Sequence, residues 1–256
     1  MSAPVNTVEP GTVVIVTGGA RGIGAELCRS LAAQGAAVVV ADVGDAAPLV
    51  AEQIEAGHTV SSVPTDVGDE AAWARLVATT LDRHDRVDAL VNNAAVYQGL
   101  GAKTPFTEIS VAEWDRVMGV NTRGVWLGMR AVHPAMQEQG YGRIVNIASS
   151  TVHMGVPYFA HYTASKGAVI ALTRSVAREV GRDGITVNAI SPGLVETEAT
   201  FALNDPSYVA TAAQGRAVAR GMVPGDLCPA VSFLCSRGSG FITGQTVVVD
   251  GGVTFL

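Results

Sequence analysis

Short runs of branched apolar residues alternate along the chain with longer stretches in which apolar residues return every three or four positions. The runs are T-V-V-I-V-T before Gly18, A-A-V-V-V-A before Asp42, T-V-S-S-V-P-T-D-V ending near Asp66, Val87–Val91, Arg143–Ser149, G-I-T-V-N-A-I before Ser191, and Q-T-V-V-V-D-G-G near the carboxyl end. A run with little polar alternation is what a strand covered on both faces requires. Helical periodicity falls between them: A-E-L-C-R-S-L-A-A-Q ending at Gly35, Ala46–Gly57, a segment from Glu70, Val111 to about Gln139, a helix through Tyr162 to about Val180, and Asp226–Ser236. Strand and helix in strict alternation predict an α/β fold, a doubly wound seven-stranded parallel sheet with helices on both faces. No repeat, linker or boundary interrupts residues 1–256, so one domain is expected. Residues 199–222 differ in character. They mix alanine with Phe201, Leu203, Tyr208 and Met222 and break at N-D-P, which fits a substrate lid and equally a surface excursion.

Val111–Gln139 carries Gly119, Asn121 and Gly124 in its middle, all poor residues for a helix interior. Such a local violation marks a functional or closely packed spot. Either Asn121 disturbs the helix and frees a carbonyl for a water, or the glycines line a packing face.

The first strand is followed by T-G-G-A-R-G-I-G, with Gly18, Arg21, Gly22, Ile23 and Gly24, then a helix, a second strand and Asp42. Strand, glycine turn, helix, strand and acid form the layout of a Rossmann-type dinucleotide-binding unit. Glycines let the backbone approach a pyrophosphate seated on the helix N-terminus, and the acid takes the ribose hydroxyls. Asp42 would repel a 2′-phosphate, which favours NAD; Arg21 could bind that phosphate or simply face water, and Asp42 weighs more because it occupies the ribose position directly. Asp66 and Val67 could meet the adenine, and Asp66 could equally cap the helix from Glu70. N-N-A-A, with Asn93 and Ala94, ends the fourth strand; it lets a cofactor lie close or fixes the turn. After the sixth strand, S-P-G-L-V-E-T turns at Pro192 and Gly193. That turn brings Val195 and Thr197 within reach of a cofactor amide and phosphate.

Ser149, Tyr162 and Lys166 are the candidates for proton chemistry. Tyr162 and Lys166 are four apart on a helical pattern, which puts them on one face, with Cβ atoms roughly 5–6 Å apart. Tyr158 has no lysine four residues on. An ammonium held beside a phenol favours the phenolate and draws its pKa down from about 10. Ser149 sits at a strand's carboxyl end, where open α/β sheets bind ligands.

Composition narrows the setting. The chain has 256 residues, 48% hydrophobic and 16% charged, enough for a large core, and its net charge of −6 disfavours nucleic acid and anionic membranes. Three cysteines show neither a disulfide framework nor metal spacing, so no metal is expected. Without a basic leader or a run of about 20 apolar residues, the expected location is cytoplasmic.

Taken in order, T-G-G-A-R-G-I-G, Asp66-Val67, N-N-A-A, Asn121, Ser149, Y-T-A-S-K and P-G-L-V-E-T resemble the short-chain dehydrogenases/reductases over nearly the whole chain. One departure is Ala95, where that family usually has glycine. The resemblance implies an Asn121–Ser149–Tyr162–Lys166 tetrad. Tyr162 is then the acid/base, Ser149 polarises the substrate oxygen, Lys166 binds the nicotinamide ribose and lowers the tyrosine, and Asn121 anchors a water. The family's enoyl reductases usually space Tyr and Lys further apart, so a carbonyl/alcohol reaction is favoured. By position, Tyr97, Val152, His153, Met154, Tyr158, Leu194, Phe201, Leu203 and Tyr208 form the substrate pocket, with His153 touching substrate or only packing. These residues include no lysine or arginine cluster, and the carboxyl-terminal half is similar to aryl secondary-alcohol dehydrogenases of the family. Both favour an uncharged hydrophobic or aromatic secondary alcohol or its ketone. Steroids, cyclic alcohols or diols and 3-oxoacyl thioesters stay open, as does a nucleotide-binding sensor without turnover. The resemblance also implies a D₂ homotetramer. It would be built from the helices around Gly119, Gly124 and Gly128 and after Tyr162, and from the end at Gly244–Leu256.

Overall fold

A computed structural model describes residues 7–97, 100 and 103–255. Met1–Asn6 and Leu256, used above for the amino end and for the second subunit contact, lie outside the described residues. Seven parallel strands form one sheet in the order β3-β2-β1-β4-β5-β6-β7. They are β1 (Val13–Thr17), β2 (Ala37–Asp42), β3 (Val60–Pro64), β4 (Ala89–Asn92), β5 (Gly142–Ile147), β6 (Ile185–Pro192) and β7 (Thr246–Val249). The helices are α1 (Gly22–Ala33), α2 (Ala47–Glu55), α3 (Glu70–His84), α4 (Val111–Met118), α5 (Gly124–Gln139), α6 (Thr151–Met154), α7 (Ala160–Val180), α8 (Glu198–Leu203), α9 (Pro206–Gln214) and α10 (Cys228–Cys235). The expected Rossmann-like sheet is present.

Residue alternation divides the core between the two faces. Val14, Val16, Val38 and Val40 pack with Leu27 and Leu31 of α1 and Val231 and Leu234 of α10. Ile15, Val39 and Ile144 pack on the other face with Trp73 and Leu76 of α3, Val132 and Met136 of α5 and Val169 of α7. Burying each such side chain contributes about 1.5–3 kcal/mol, which is why these short strands hold their register. The chain runs outward from β1 to β3 and returns to place β4 on β1's other side. Beside that reversal, at the strands' carboxyl ends, α/β sheets leave a crevice.

Two helices differ from the pattern predicted for them. The stretch from Val111 to Gln139 is broken by a five-residue π-helical turn, Gly119–Arg123. A Cβ on Gly124 would stand 3.0 Å from Val67 Cγ2, so this turn lies tight against the end of β3's loop. The helix expected over 226–236 begins as a 3₁₀ turn, Pro224–Leu227, before α10. Residues 199–214 belong to α8 and α9, separated at Asn204–Asp205, where Asp205 caps α9 by accepting from the Ser207 amide at 2.8 Å, and 215–222 continue without a helix.

Candidate active site

The carboxyl ends of β1 to β6 open on one cavity of about 600 Å³. At one end is the glycine turn. Gly18 and Gly22 have φ of +63° and +55°, and a Cβ on Gly24 would lie 2.0 Å from the Gly18 carbonyl oxygen. The first two glycines supply backbone conformations that side chains resist, and the third lets α1 start against the turn. Asn93 stabilises the turn from β4: its Nδ2 donates to the carbonyls of Thr17 (2.9 Å) and Gly18 (3.0 Å). Thr17 Oγ1 accepts from the amides of Asn93 and Ala94, both at 3.0 Å. Of the two roles weighed for the asparagines, the turn-fixing one is visible here. Asn92 points away and donates to Asn146 Oδ1.

Asp42 ends β2 with one carboxylate oxygen accepting from the Ala20 amide (2.9 Å) and the other from Gly44 (2.8 Å), so the acid is held at the cavity edge. Arg21 is exposed, lines the same edge and makes no cap contact with α1. Asp66 accepts from the Gly68 amide. It does not cap α3. That cap is Asp69, which accepts from Ala71 at 3.0 Å and Ala72 at 3.2 Å, because it stands directly before the first helical residue. Ile23, Val67, Ala94, Pro192, Gly193, Val195 and Thr197 also line the cavity. These are the groups a dinucleotide requires: a bare glycine turn at a helix N-terminus, an acid at the next strand end, and small residues between.

At the other end Ser149, Tyr162 and Lys166 share the wall. The Ser149 hydroxyl accepts from the amide and hydroxyl of Thr151 at 3.3 and 3.0 Å. Lys166, 2% exposed, donates from Nζ to the Ile147 carbonyl at 2.7 Å, and its Nζ lies 5.8 Å from the Tyr162 ring centroid. Burial lowers the ammonium to about 8. Burial likewise pushes the Tyr162 phenol well above its usual range. The neighbouring Tyr97 adds to the rise, and the hydrogen bond with Ser149 offsets only part of it. The expected depression of the phenol by lysine is therefore outweighed in the chain alone: desolvation acts on both groups, and the Ile147 carbonyl takes the ammonium.

Asn121 lies behind the wall, fully buried in the π turn. Its Oδ1 accepts from the Val96 amide at 2.7 Å, and its Nδ2 donates to Ser165 Oγ at 3.1 Å. Ser165 in turn donates to the Tyr162 carbonyl at 2.7 Å. The asparagine thus ties the loop after β4 to the helix that carries the tyrosine.

Of the expected substrate contacts, Tyr97, Met154, Leu194, Leu203 and Tyr208 line the cavity; His153, Tyr158, Phe201 and Val152 do not. His153 precedes Met154 in the single turn of α6, so when one faces inward the other is rotated about 100° away. Tyr158 takes a left-handed φ of 61° and is 56% exposed. Phe201 is 48% exposed on the outer side of α8, and Val152 packs into the core. The wall also holds Phe159, Val96, Lys103 and Arg116, which sequence reasoning did not place there. The two basic residues remove the expectation of a wall without lysine or arginine. They lie on the long β4–α4 connection and on α4, whose approach to the cavity has no local signature.

Among the described residues no group of acidic, histidine and cysteine side chains can hold a metal, and no helix is long and apolar enough to cross a membrane.

The chain is similar to known proteins over most of its length. A family profile described as enoyl-(acyl carrier protein) reductase matches residues 18–254. The chain is 39% identical to a cyclopentanol dehydrogenase of Comamonas testosteroni, covering 94% of this chain and 96% of the relative. It is 39% identical to a 3-alpha-(or 20-beta)-hydroxysteroid dehydrogenase of Mycobacterium tuberculosis over 94% and 89%. The solved structure of levodione reductase superimposes with a TM-score of 0.89 at 32% identity, covering 95% of this chain and 97% of that one. With the glycine turn, the acid after β2 and the serine, tyrosine and lysine gathered in one crevice, these likenesses make the chain a member of the short-chain dehydrogenase/reductase family, an oxidoreductase family of Rossmann-like fold that uses a nicotinamide dinucleotide.

Proposed function

We propose that the protein is an NAD-dependent dehydrogenase/reductase that interconverts a hydrophobic or aromatic secondary alcohol and its ketone. The observation that carries this is Tyr162 in one wall with Ser149 and Lys166, its ring flanked by Tyr97 and Phe159 with centroids 5.4 and 5.0 Å away. When bound, the nicotinamide accepts or returns the hydride. The chain supplies the rest. Ser149 donates to the substrate oxygen and holds it at the phenol. Tyr162 gives a proton to that oxygen in reduction and takes it back in oxidation. Lys166, held by the Ile147 carbonyl, presents its ammonium to the nicotinamide ribose, and Asn121 keeps the helix in place and anchors a water. Gly18, Gly22, Ile23 and Gly24 face the pyrophosphate, and Arg21 flanks the adenosine ribose with Asp42. Asp66, Val67, Asn93 and Ala94 face the adenosine, and Pro192, Gly193, Val195 and Thr197 the nicotinamide. The raised phenol keeps its proton at neutral pH, which suits ketone reduction, and alcohol oxidation should gain with rising pH. The four-residue Tyr–Lys spacing supports carbonyl chemistry over enoyl reduction.

NAD is preferred because Asp42 is fixed by two amides at the ribose edge, whereas Arg21 is exposed. A desolvated like-charge contact with a 2′-phosphate costs several kcal/mol, and an exposed ion pair returns about 0–1 kcal/mol. A cytoplasmic setting fits three free, buried cysteines, two of them with thiols pushed up to about 12 by burial. A homotetramer fits the exposed apolar side chains Trp114 and Trp126 on α4 and α5, and Phe241 and Phe255 near the carboxyl end. Light scattering that gives a monomer at micromolar concentration would overturn it. Residues 199–222 act as the lid over the substrate.

NADH fluorescence followed with cyclic, aryl and steroid ketones, and NAD reduction with the matching alcohols, tests the activity. Cofactor binding without turnover of any of them would leave a nucleotide-binding protein in place of the enzyme.

A further inference from the structure

The part of the cavity around Tyr162 is lined by aromatic rings and also by Lys103, Arg116 and Glu198. Tyr97 and Phe159 pack against Tyr162. Tyr208 on α9 lines the same cavity close to Tyr97, whose phenol is raised chiefly by burial and hydrogen-bonded with Asn204 and Thr200. Over the face of Tyr208 stands the Lys103 ammonium, with Nζ 4.3 Å from the ring centroid. The sequence of groups leading away from the phenol is therefore Tyr162, Tyr97, Tyr208, Lys103.

Among the described residues Lys103 makes no hydrogen bond and no ion pair. The Asp42 and Asp66 carboxylates at the glycine-turn end are engaged with the amides of Ala20, Gly44 and Gly68. Glu198, at the start of α8, is exposed and forms no ion pair among the described residues. Arg116 lies on the same wall but has an interaction of its own. A ring face holds an ammonium by cation–π attraction but accepts none of its three N–H donors. An apolar slot ending in such a cation suits an apolar body that carries an anion at its far end.

The geometry points to Lys103 as a specificity-determining residue that takes the carboxylate of a substrate whose secondary alcohol lies against Tyr162. The preferred substrates are then ring-sized hydroxy acids and the corresponding oxo acids. This rests on the dehydrogenase reading above, and narrows it.

The test compares kcat/KM for 3- and 4-hydroxycyclohexanecarboxylate with kcat/KM for their methyl esters, in wild type, Lys103→Met and Lys103→Arg. The wild type should prefer the acids about tenfold or more. Lys103→Met should abolish that ratio, and Lys103→Arg should keep most of it. An acid-to-ester ratio near one in the wild type, or a ratio that survives Lys103→Met, overturns the inference while the dehydrogenase reading stands. Calorimetric binding of cyclohexanecarboxylate against cyclohexanecarboxamide to the NAD-loaded protein gives a readout free of turnover. The carboxylate should bind about tenfold more weakly to Lys103→Met than to wild type. Equal affinity in both proteins overturns the role of Lys103 even if no alcohol is oxidised, whereas binding as expected with no turnover of acid, ester or cyclohexanol overturns the dehydrogenase reading alone.

Discussion

The two ends of the cavity are built by different means. At the glycine-turn end the wall consists of strand ends and the tight turns that follow them, tied by side chains to backbone groups: Asn93 donates to the carbonyls of Thr17 and Gly18, and Asp42 accepts from the amides of Ala20 and Gly44. At the other end Ser149 after β5 and Tyr162 and Lys166 on α7 are met by the one-turn α6, the six-residue α8, α9 and a long connection after β4, from which Met154 and Tyr208, each 45% exposed, complete the wall. The first end is set by strand register and cannot shift without breaking the sheet. The second is set by how short helices rest on it, so it is free to differ among proteins that share the first.

The sharpest way to break the contrast is at the phenol where the two ends meet. Tyr162→Phe should lower kcat about a thousandfold, within the range a positioned acid/base contributes, while the Kd for NADH stays within about twofold. Near-wild-type kcat in that variant would remove Tyr162 from the chemistry.

Next is the buried lysine. In the cofactor-free protein Lys166 binds its proton with a pKa of about 8, against an ordinary value of 10.5. Between those values the unfolded chain holds more protons than the folded one, so stability rises with pH across that window. Relative to Lys166→Met, which lacks the group, the wild type should gain up to about 3 kcal/mol from pH 8 to 10.5 in denaturant titrations. The Tyr162 contribution, present in both proteins, cancels. A difference that is flat or falls with pH would show that the lysine is not desolvated.

At the glycine-turn end, wild type should favour NAD over NADP by about a hundredfold in kcat/KM, two factors of ten at 1.36 kcal/mol each. Asp42→Ala should narrow that gap chiefly by improving NADP use. Equal use of both cofactors by wild type would show that Asp42 does not face the ribose.

The smallest effect is expected on the outer surface of the other end. Phe201 is half exposed and outside the cavity wall, so Phe201→Ala should alter kcat/KM for any accepted alcohol by no more than about twofold and stability by about 0.5 kcal/mol or less. A large loss would return Phe201 to the substrate contacts and show that α8 rotates when substrate binds.

The fold was legible because both of its signals are local. A strand buried on both faces must be apolar throughout, and a turn with φ of +55° at Gly22 or a carbonyl 2.0 Å from a would-be Cβ at Gly24 demands glycine. Gly18, Arg21, Gly22, Ile23, Gly24, Asp42, Pro192, Gly193, Val195 and Thr197, read from the glycine turn and the strand ends, all line the cavity. His153, Tyr158 and Phe201 did not, because aromatic character says that a ring packs somewhere without saying which way a one-turn helix points it.

The sequence by itself determined the seven strands, most of the helices between them, the glycine turn and the Tyr162–Lys166 pair, since each follows from spacing along a strand or a helix. Only the tertiary structure decided that the Val111–Gln139 helix opens into a π turn around Asn121, that Lys103 stands over Tyr208 in the cavity wall, and that burial raises the phenol in the chain alone. Those outcomes depend on what arrives from distant parts of the chain. Desolvation is the sum of every neighbour around Tyr162 and Lys166, and no spacing of four residues records how many other elements close over them.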